Sequence, residues 1–177
     1  MKFKDIKRLT SIGTYQVNQR LKYLLKWIEE QDDIDLNPDF QRGYVWTEEQ
    51  QIKYIEFILK GGNTTPIYFN HSNWLSFTNP VDKLEIVDGK QRMNACIRFL
   101  NNEIKAFNTY YKDFEDNCYT DIMININNLK TRKEVLNWYL ELNSGGTAHT
   151  KEELDKVKLL IEKENLKWDN SKDLNKN

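Results

Sequence analysis

Apolar residues recur at helical spacing through residues 15 to 30 (Val17, Leu21, Leu24, Leu25, Ile28), which predicts an amphipathic helix. Residues 34 to 36 read as a short strand, and the PDFQRGYVW stretch after it has no period, so a structured loop is predicted there. Thr47-Glu48-Glu49-Gln50 has the form of a capping box and opens a helix carrying Ile52, Ile55, Phe57, Ile58 and Leu59, which Gly61-Gly62 end. Strands are predicted over 66 to 69 and 83 to 87, joined by the polar connection 70 to 81. Met93, Cys96, Ile97 and Leu100 give residues 90 to 100 one apolar helical side. Residues 104 to 114 suggest a short strand and an aromatic loop, whereas 121 to 127 alternate in the manner of a half-buried strand. Two more capping boxes, Thr131 with Glu134 and Thr150 with Glu153, open the last two helices, the first ending near residue 142.

Strands and helices are thus interspersed without a strict βαβ rhythm, which predicts an α+β fold: a small sheet with surrounding helices. Neither a repeat nor a linker divides the 177 residues, so 1 to 165 read as a single domain and 166 to 177 as a flexible tail.

Composition narrows the partners. The 26 basic and 27 acidic residues leave a net charge of -1, so no global field draws the chain to nucleic acid or to an anionic membrane. Contact with DNA would need a local patch. The start, MKFKDIKRLTSIG, lacks the apolar core of a signal peptide, and no apolar run reaches spanning length. Cys96 and Cys118 have neither zinc spacing nor a disulfide framework, and Cys96 falls on an apolar helix face as a buried free thiol; a reducing, cytoplasmic setting is expected. His71 and His149 stand in no ligand motif, which argues against a histidine-based metal site.

Three stretches carry candidate chemistry. In EIVDGKQRMNACIRFL, a strand runs into Asp88-Gly89-Lys90-Gln91-Arg92 and a helix begins at once. Free first-turn amides and the positive end of the helix dipole suit an anion there, Gly89 permits a close approach or a positive φ, and Lys90 and Arg92 add charge. Asp88 has three possible uses: to cap the helix, to hold Arg92, or to help bind a metal carried by a nucleotide. The bland alternative is an ordinary strand-to-helix turn whose cations face water. In the second stretch, Gln41-Arg42 are candidate ligand contacts, Tyr44 or Trp46 offers a stacking face, and Phe40, Val45 and Trp46 equally suit a staple onto the core. In the third, Asn143-Ser144-Gly145-Gly146 either presents amides to an anion or simply ends one helix and links to the next. Pro80-Val81-Asp82 ahead of Asp88-Gly89-Lys90 also imitates a PD-(D/E)xK metal-dependent nuclease, but that site needs the acid and lysine on one continuing strand, and Gly89 interrupts it.

Taken in order, YQVNQRLKYLLKWIEE, PDFQRGYVW, EIVDGKQR and YLELNSGGTAHTKEEL resemble the N-terminal domain of GmrSD-type modification-dependent restriction proteins, with relatives among phosphorothioation-linked and other phage-defence proteins. The resemblance spans roughly residues 12 to 160 and implies a ParB/sulfiredoxin-like fold. It implies a nucleoside triphosphate bound with Mg²⁺ at the corner, with Gln41, Arg42, Gly89, Lys90, Arg92 and Asn143 to Gly146 as contacts. Hydrolysis would rest on Asp88, Gln91 and Arg92, with Asp88 toward the nucleotide's metal. The family corner reads Asp-Gly-Gln-Gln-Arg, and here Lys90 replaces its first Gln. Family members commonly carry a C-terminal HNH nuclease domain. This polypeptide has no such His motif, so a separate nuclease subunit or DNA itself is the expected partner, and a non-catalytic binding module is the alternative.

Overall fold

The computed structural model describes residues 1–2, 5–6, 15–31, 33–73, 83–116, 118–143 and 150–174, with 168–174 as backbone only. Among these, five strands form one mixed sheet, in the order β1-β5-β3-β4-β2: β1 (Tyr15–Arg20), β2 (Ile34–Asp35), β3 (Ile67–Asn70), β4 (Leu84–Asp88) and β5 (Asp121–Asn127). The helices are α1 (Leu24–Glu29), α2 (Glu48–Leu59), α3 (Lys90–Leu100), α4 (Arg132–Asn143) and α5 (Lys151–Leu174). The expected α+β architecture, a small mixed sheet flanked by helices, is what the chain adopts.

Two clusters hold the layers together. The larger joins the inward faces of α2 and α3 (Ile55, Ile58, Met93, Cys96, Phe99) to Ile67, Phe69, Leu84, Ile86, Ile122, Ile124 and Ile126 of the sheet. The period of two along β4 and β5 sends these residues to one face. On the other face, Val87 and Tyr68 meet Leu136, Trp138 and Tyr139 of α4 and Val157 of α5. The sheet is therefore covered on both sides. All three capping boxes form, with Thr47, Thr131 and Thr150 each accepting from the amide three residues on and each receiving the reciprocal side-chain contact. α5 carries helical backbone to Leu174, into the stretch expected to be a tail.

Two expectations fail for tertiary reasons. Residues 15 to 20 are a strand and only the second half of the predicted helix is helical. Each residue of β1 finds an antiparallel partner on β5, from Tyr15 opposite Ile126 to Arg20 opposite Asp121. That pairing outweighs a weak helical preference. Leu21, fully buried, then starts a 3-10 turn that leads into α1. Residues 104 to 114 form no strand either. Ala106 and Thr109 exchange two backbone hydrogen bonds across Phe107 and Asn108, both of which have positive φ, so the chain reverses before a strand can extend.

β4 also carries a half-buried carboxylate. Glu85 lies opposite Asp35 of β2, and burial pushes its pKa up to about 7, with Asp35 and Asp39 adding to the rise and Arg132 and Lys83 opposing it. A folded-state pKa above the usual 4.5 means the native state binds the proton more tightly than the unfolded chain. The stability this contributes is full below the unfolded value and is lost as the pH rises through about 7. Glu85→Gln is therefore expected to unfold roughly 1–3 kcal/mol harder than wild type at pH 8, with the two converging near pH 4. Urea titrations at the two pH values test this; a variant less stable than wild type at pH 8 would contradict it.

Candidate functional site

The candidate site forms where β4 ends. Gly89 is the N-cap of α3 with φ 95°, a left-handed conformation that accommodates glycine. Space makes the same demand: a Cβ at Gly89 would meet Ile67 Cγ1 and Arg92 Nη2, each at 3.1 Å, and Ile67 Cα at 3.2 Å. The Met93 amide donates the helix's first backbone hydrogen bond to the Gly89 carbonyl, at 2.8 Å. No side chain caps α3, so Asp88 does not serve as its cap.

Asp88 instead takes the second of its predicted uses. Its Oδ2 accepts from Arg92 Nη2 at 2.7 Å, while Arg92 Nη1 donates to the Thr65 carbonyl and hydroxyl. Arg92 does not reach into open solvent. Its side chain is 12% exposed and that of Asp88 34%. Thr65 has no signal in the sequence as a site residue; it arrives because β3 starts beside the end of β4, with Tyr68 opposite Asp88.

The two residues between Gly89 and Arg92 hold the loop after β2. Lys90, only 7% exposed, donates to the Arg42 carbonyl at 2.9 Å and lies 4.9 Å from the centre of the Tyr44 ring. Burial lowers its pKa, opposed by Asp35 and reinforced by Lys156. Gln91 donates to the Gly43 carbonyl and accepts from the amides of Val45 and Trp46, so both ends of its side-chain amide are engaged. Gln41 reaches the other way and donates to the carbonyls of Ile86 and Val87, at 3.2 and 2.7 Å. The loop and the corner are thereby sewn together by side chain-to-backbone bonds. Phe40 and Trp46 pack inward as the staple requires, against Tyr139 and Tyr54 respectively, but Val45 stays half exposed alongside Tyr44.

From the sheet's other side, Arg42 Nη1 comes within 3.8 Å of Glu153 Oε2 on α5. Tyr139 of α4 is buried beneath, its hydroxyl pKa pushed up to about 12 by burial, with Arg42 opposing and Glu153 and Asp88 adding to the rise. Asn143, one turn further on, donates to the Tyr139 carbonyl at 2.7 Å. Gln41, Arg42, Asp88, Gly89, Lys90, Gln91 and Arg92 thus converge, and Asn143 ends the helix that packs beside them. Ser144, Gly145 and Gly146 lie outside the described residues. Glu153, visible in the sequence only as a capping residue, does both jobs: its Oε2 also accepts from the Thr150 amide.

Electrostatically the corner is a lattice of ion pairs, with Asp88 on Arg92 and Glu153 on Arg42. An incoming anion would exchange with these carboxylates for the guanidinium groups, or join them through a cation. Among the described residues, no group of three or more His, Cys, Asp or Glu is placed to hold a metal ion, and no helix is long and apolar enough to cross a membrane.

No curated relative and no solved structure matches the chain at a significant level. The family of the GmrSD restriction endonuclease N-terminal domain matches residues 24–118, more than half of the chain, from α1 through the loop and the corner to the segment before β5. With the PDFQRGYVW loop and the DGKQR corner interlocked inside that span, the chain belongs to the GmrSD N-terminal domain family of DNA restriction and phage-defence systems.

Proposed function

We propose that the β4–α3 corner binds a nucleoside triphosphate, and that hydrolysis there regulates how the domain engages DNA or a nuclease partner. The observation that carries this reading is the start of α3: a left-handed glycine, a first turn without a side-chain cap, and Arg92 bracketing it from inside. The Arg92 fork suits phosphate oxygens, and Arg42 enters from the opposite side through the loop that Lys90 holds. Family membership agrees with a role in restriction or phage defence.

Magnesium fits only as the nucleotide's own ion. Asp88 offers one carboxylate, already shared with Arg92, and Mg²⁺ typically keeps waters and takes one or two carboxylates together with phosphates. When bound, the ion would neutralise developing phosphate charge. Arg92 would stabilise the same charge, and Asp88, drawn off Arg92, would orient the ion or a water.

A second reading, binding without turnover, is favoured by Gln91. Its amide is bound at both ends by the loop, so orienting a nucleophile would require that loop to open. Calorimetric titration of the four triphosphates with Mg²⁺, alongside a phosphate-release assay, separates the readings. Saturable binding with phosphate release is the result expected. Binding without release would leave only the second reading, and no binding of any triphosphate would remove both.

A further inference from the structure

A second site lies on the rim formed by the 3-10 turn after β1, the end of α2 and the loop before β5. There a cavity of about 470 Å³, the size of a small-molecule pocket, is lined by Phe99, Phe107, Tyr111, Phe114 and Tyr119, with Lys22, Lys112 and Asp116 among its polar groups. A neighbouring cavity of about 540 Å³ shares Leu59, Tyr119 and Thr120 with it and continues along Lys60, Gly61, Gly62 and Asn63. The two are lobes of one trough, and Tyr119, 72% exposed, stands between them.

The chain holds its aromatic rings here against ordinary preferences. Phe107 is 43% exposed and has φ 51°, in a two-residue turn where Asn-Gly is the usual choice. A bulky residue in that region is an outlier, and such strain clusters at binding sites. The turn is pinned by the two Ala106–Thr109 bonds and by Glu56, which accepts from the Phe107 amide at 2.8 Å. Phe99, buried at the floor, packs edge-on against Tyr111 and Phe114. Cations interleave with the rings: Arg20 over Tyr119 at 5.6 Å, Lys60 over Phe107 at 5.1 Å, and Lys105 and Lys112 over Tyr110.

Charge and exposed rings together narrow the class of ligand. A cationic guest would meet repulsion from Lys22 and Lys112, which share the first lobe with Asp116, while Lys60 shares the second with Asp121. Asp121 is already paired with Arg20. Asp113 and Glu115 lie on the outer loop and cap the field, so the trough is not a strongly basic one. Exposed rings among lysines, along two adjoining cavities, match stacking platforms for unpaired bases with phosphates alongside.

We propose that this trough binds a short single-stranded nucleic-acid segment, one base stacking in the aromatic lobe and the backbone passing Tyr119 toward Lys60. The site shares no residue with the β4–α3 corner and stands whether or not that corner binds a triphosphate. Fluorescence anisotropy with a labelled eight-residue oligothymidylate, its duplex and thymidine monophosphate as competitors tests it. The single strand is expected to bind more tightly than duplex or mononucleotide. Tyr119→Ala should weaken binding about five-fold to a hundred-fold, and Tyr119→Phe, which keeps the stacking face, should restore it. Since Tyr119 is largely exposed, the variants should melt with wild type, and Arg92→Ala should bind the oligonucleotide unchanged. Absence of oligonucleotide binding, equal binding by Tyr119→Ala, or competition by duplex or thymidine monophosphate as strong as by the single strand would each overturn the proposal.

Discussion

Gly89→Ala is expected to lower the unfolding free energy by roughly 2–4 kcal/mol. About 1–2 kcal/mol comes from forcing an L-residue to a left-handed φ. The rest comes from crowding, since the new methyl group would lie 3.1–3.2 Å from the Ile67 backbone and side chain and from Arg92 Nη2. Ile67 cannot withdraw easily, because it is buried and is paired across the sheet with Ile124. Arg92 is the softer neighbour, so the site should be disturbed as well as the fold. Gly43→Ala is the matched control: nothing lies within 4 Å of a Cβ there, and its effect should stay within about 0.5 kcal/mol. Urea unfolding reads both, as a shift in midpoint at unchanged slope. Equal midpoints for the two variants would mean that the corner does not need its glycine.

The second large effect is on ligand binding. Arg92→Ala should weaken triphosphate binding on the order of ten-fold to a hundred-fold, the usual worth of a charge-assisted bond to a phosphate oxygen. Arg92→Lys, which keeps the charge without the planar fork, should fall between alanine and wild type. Asp88→Asn sharpens the test. In the free domain Asp88 competes for Arg92 at 2.7 Å, so removing its charge should tighten triphosphate binding even as it slows any phosphate release. Calorimetry and phosphate release on the same three variants measure the two quantities separately. Triphosphate affinity that ignores all three substitutions would place the ligand elsewhere.

Side chains that looked like ligand contacts in the sequence divide into two groups in space. Gln41, Lys90 and Gln91 bind backbone groups of the loop and strand, and set the shape of the corner. Arg42, Asp88 and Arg92 make charge–charge contacts that a ligand could enter. Lys90 is instructive. A lysine in place of the family's glutamine still donates one hydrogen bond to the Arg42 carbonyl, and its charge is sheltered against Tyr44. A glutamine can make the same donation without a buried charge. The burial-lowered pKa of Lys90 is the cost of the exchange.

Everything carried by short-range rules was legible before any coordinates. The capping boxes at Thr47, Thr131 and Thr150, the alternation along residues 121 to 127, the apolar side of α3, and glycine at the strand-to-helix corner each depend on neighbours within a few residues, and each formed as read. The rest was settled by contacts between distant segments. Residues 15 to 20 became a strand because β5 offered six backbone partners in register, a contact across more than a hundred residues that no local period encodes. Thr65 and Glu153 joined the corner because an antiparallel neighbour and a helix from the far side of the sheet delivered them. The aromatic trough is the clearest case: its walls come from residues near 22, 59, 99, 107 and 119, and while residues 104 to 114 read as an aromatic loop, it takes the fold to set them all around one space. Local rules govern backbone dihedrals and hydrogen-bond caps, whereas which distant side chains share a site is settled by strand pairing and the closure of the core.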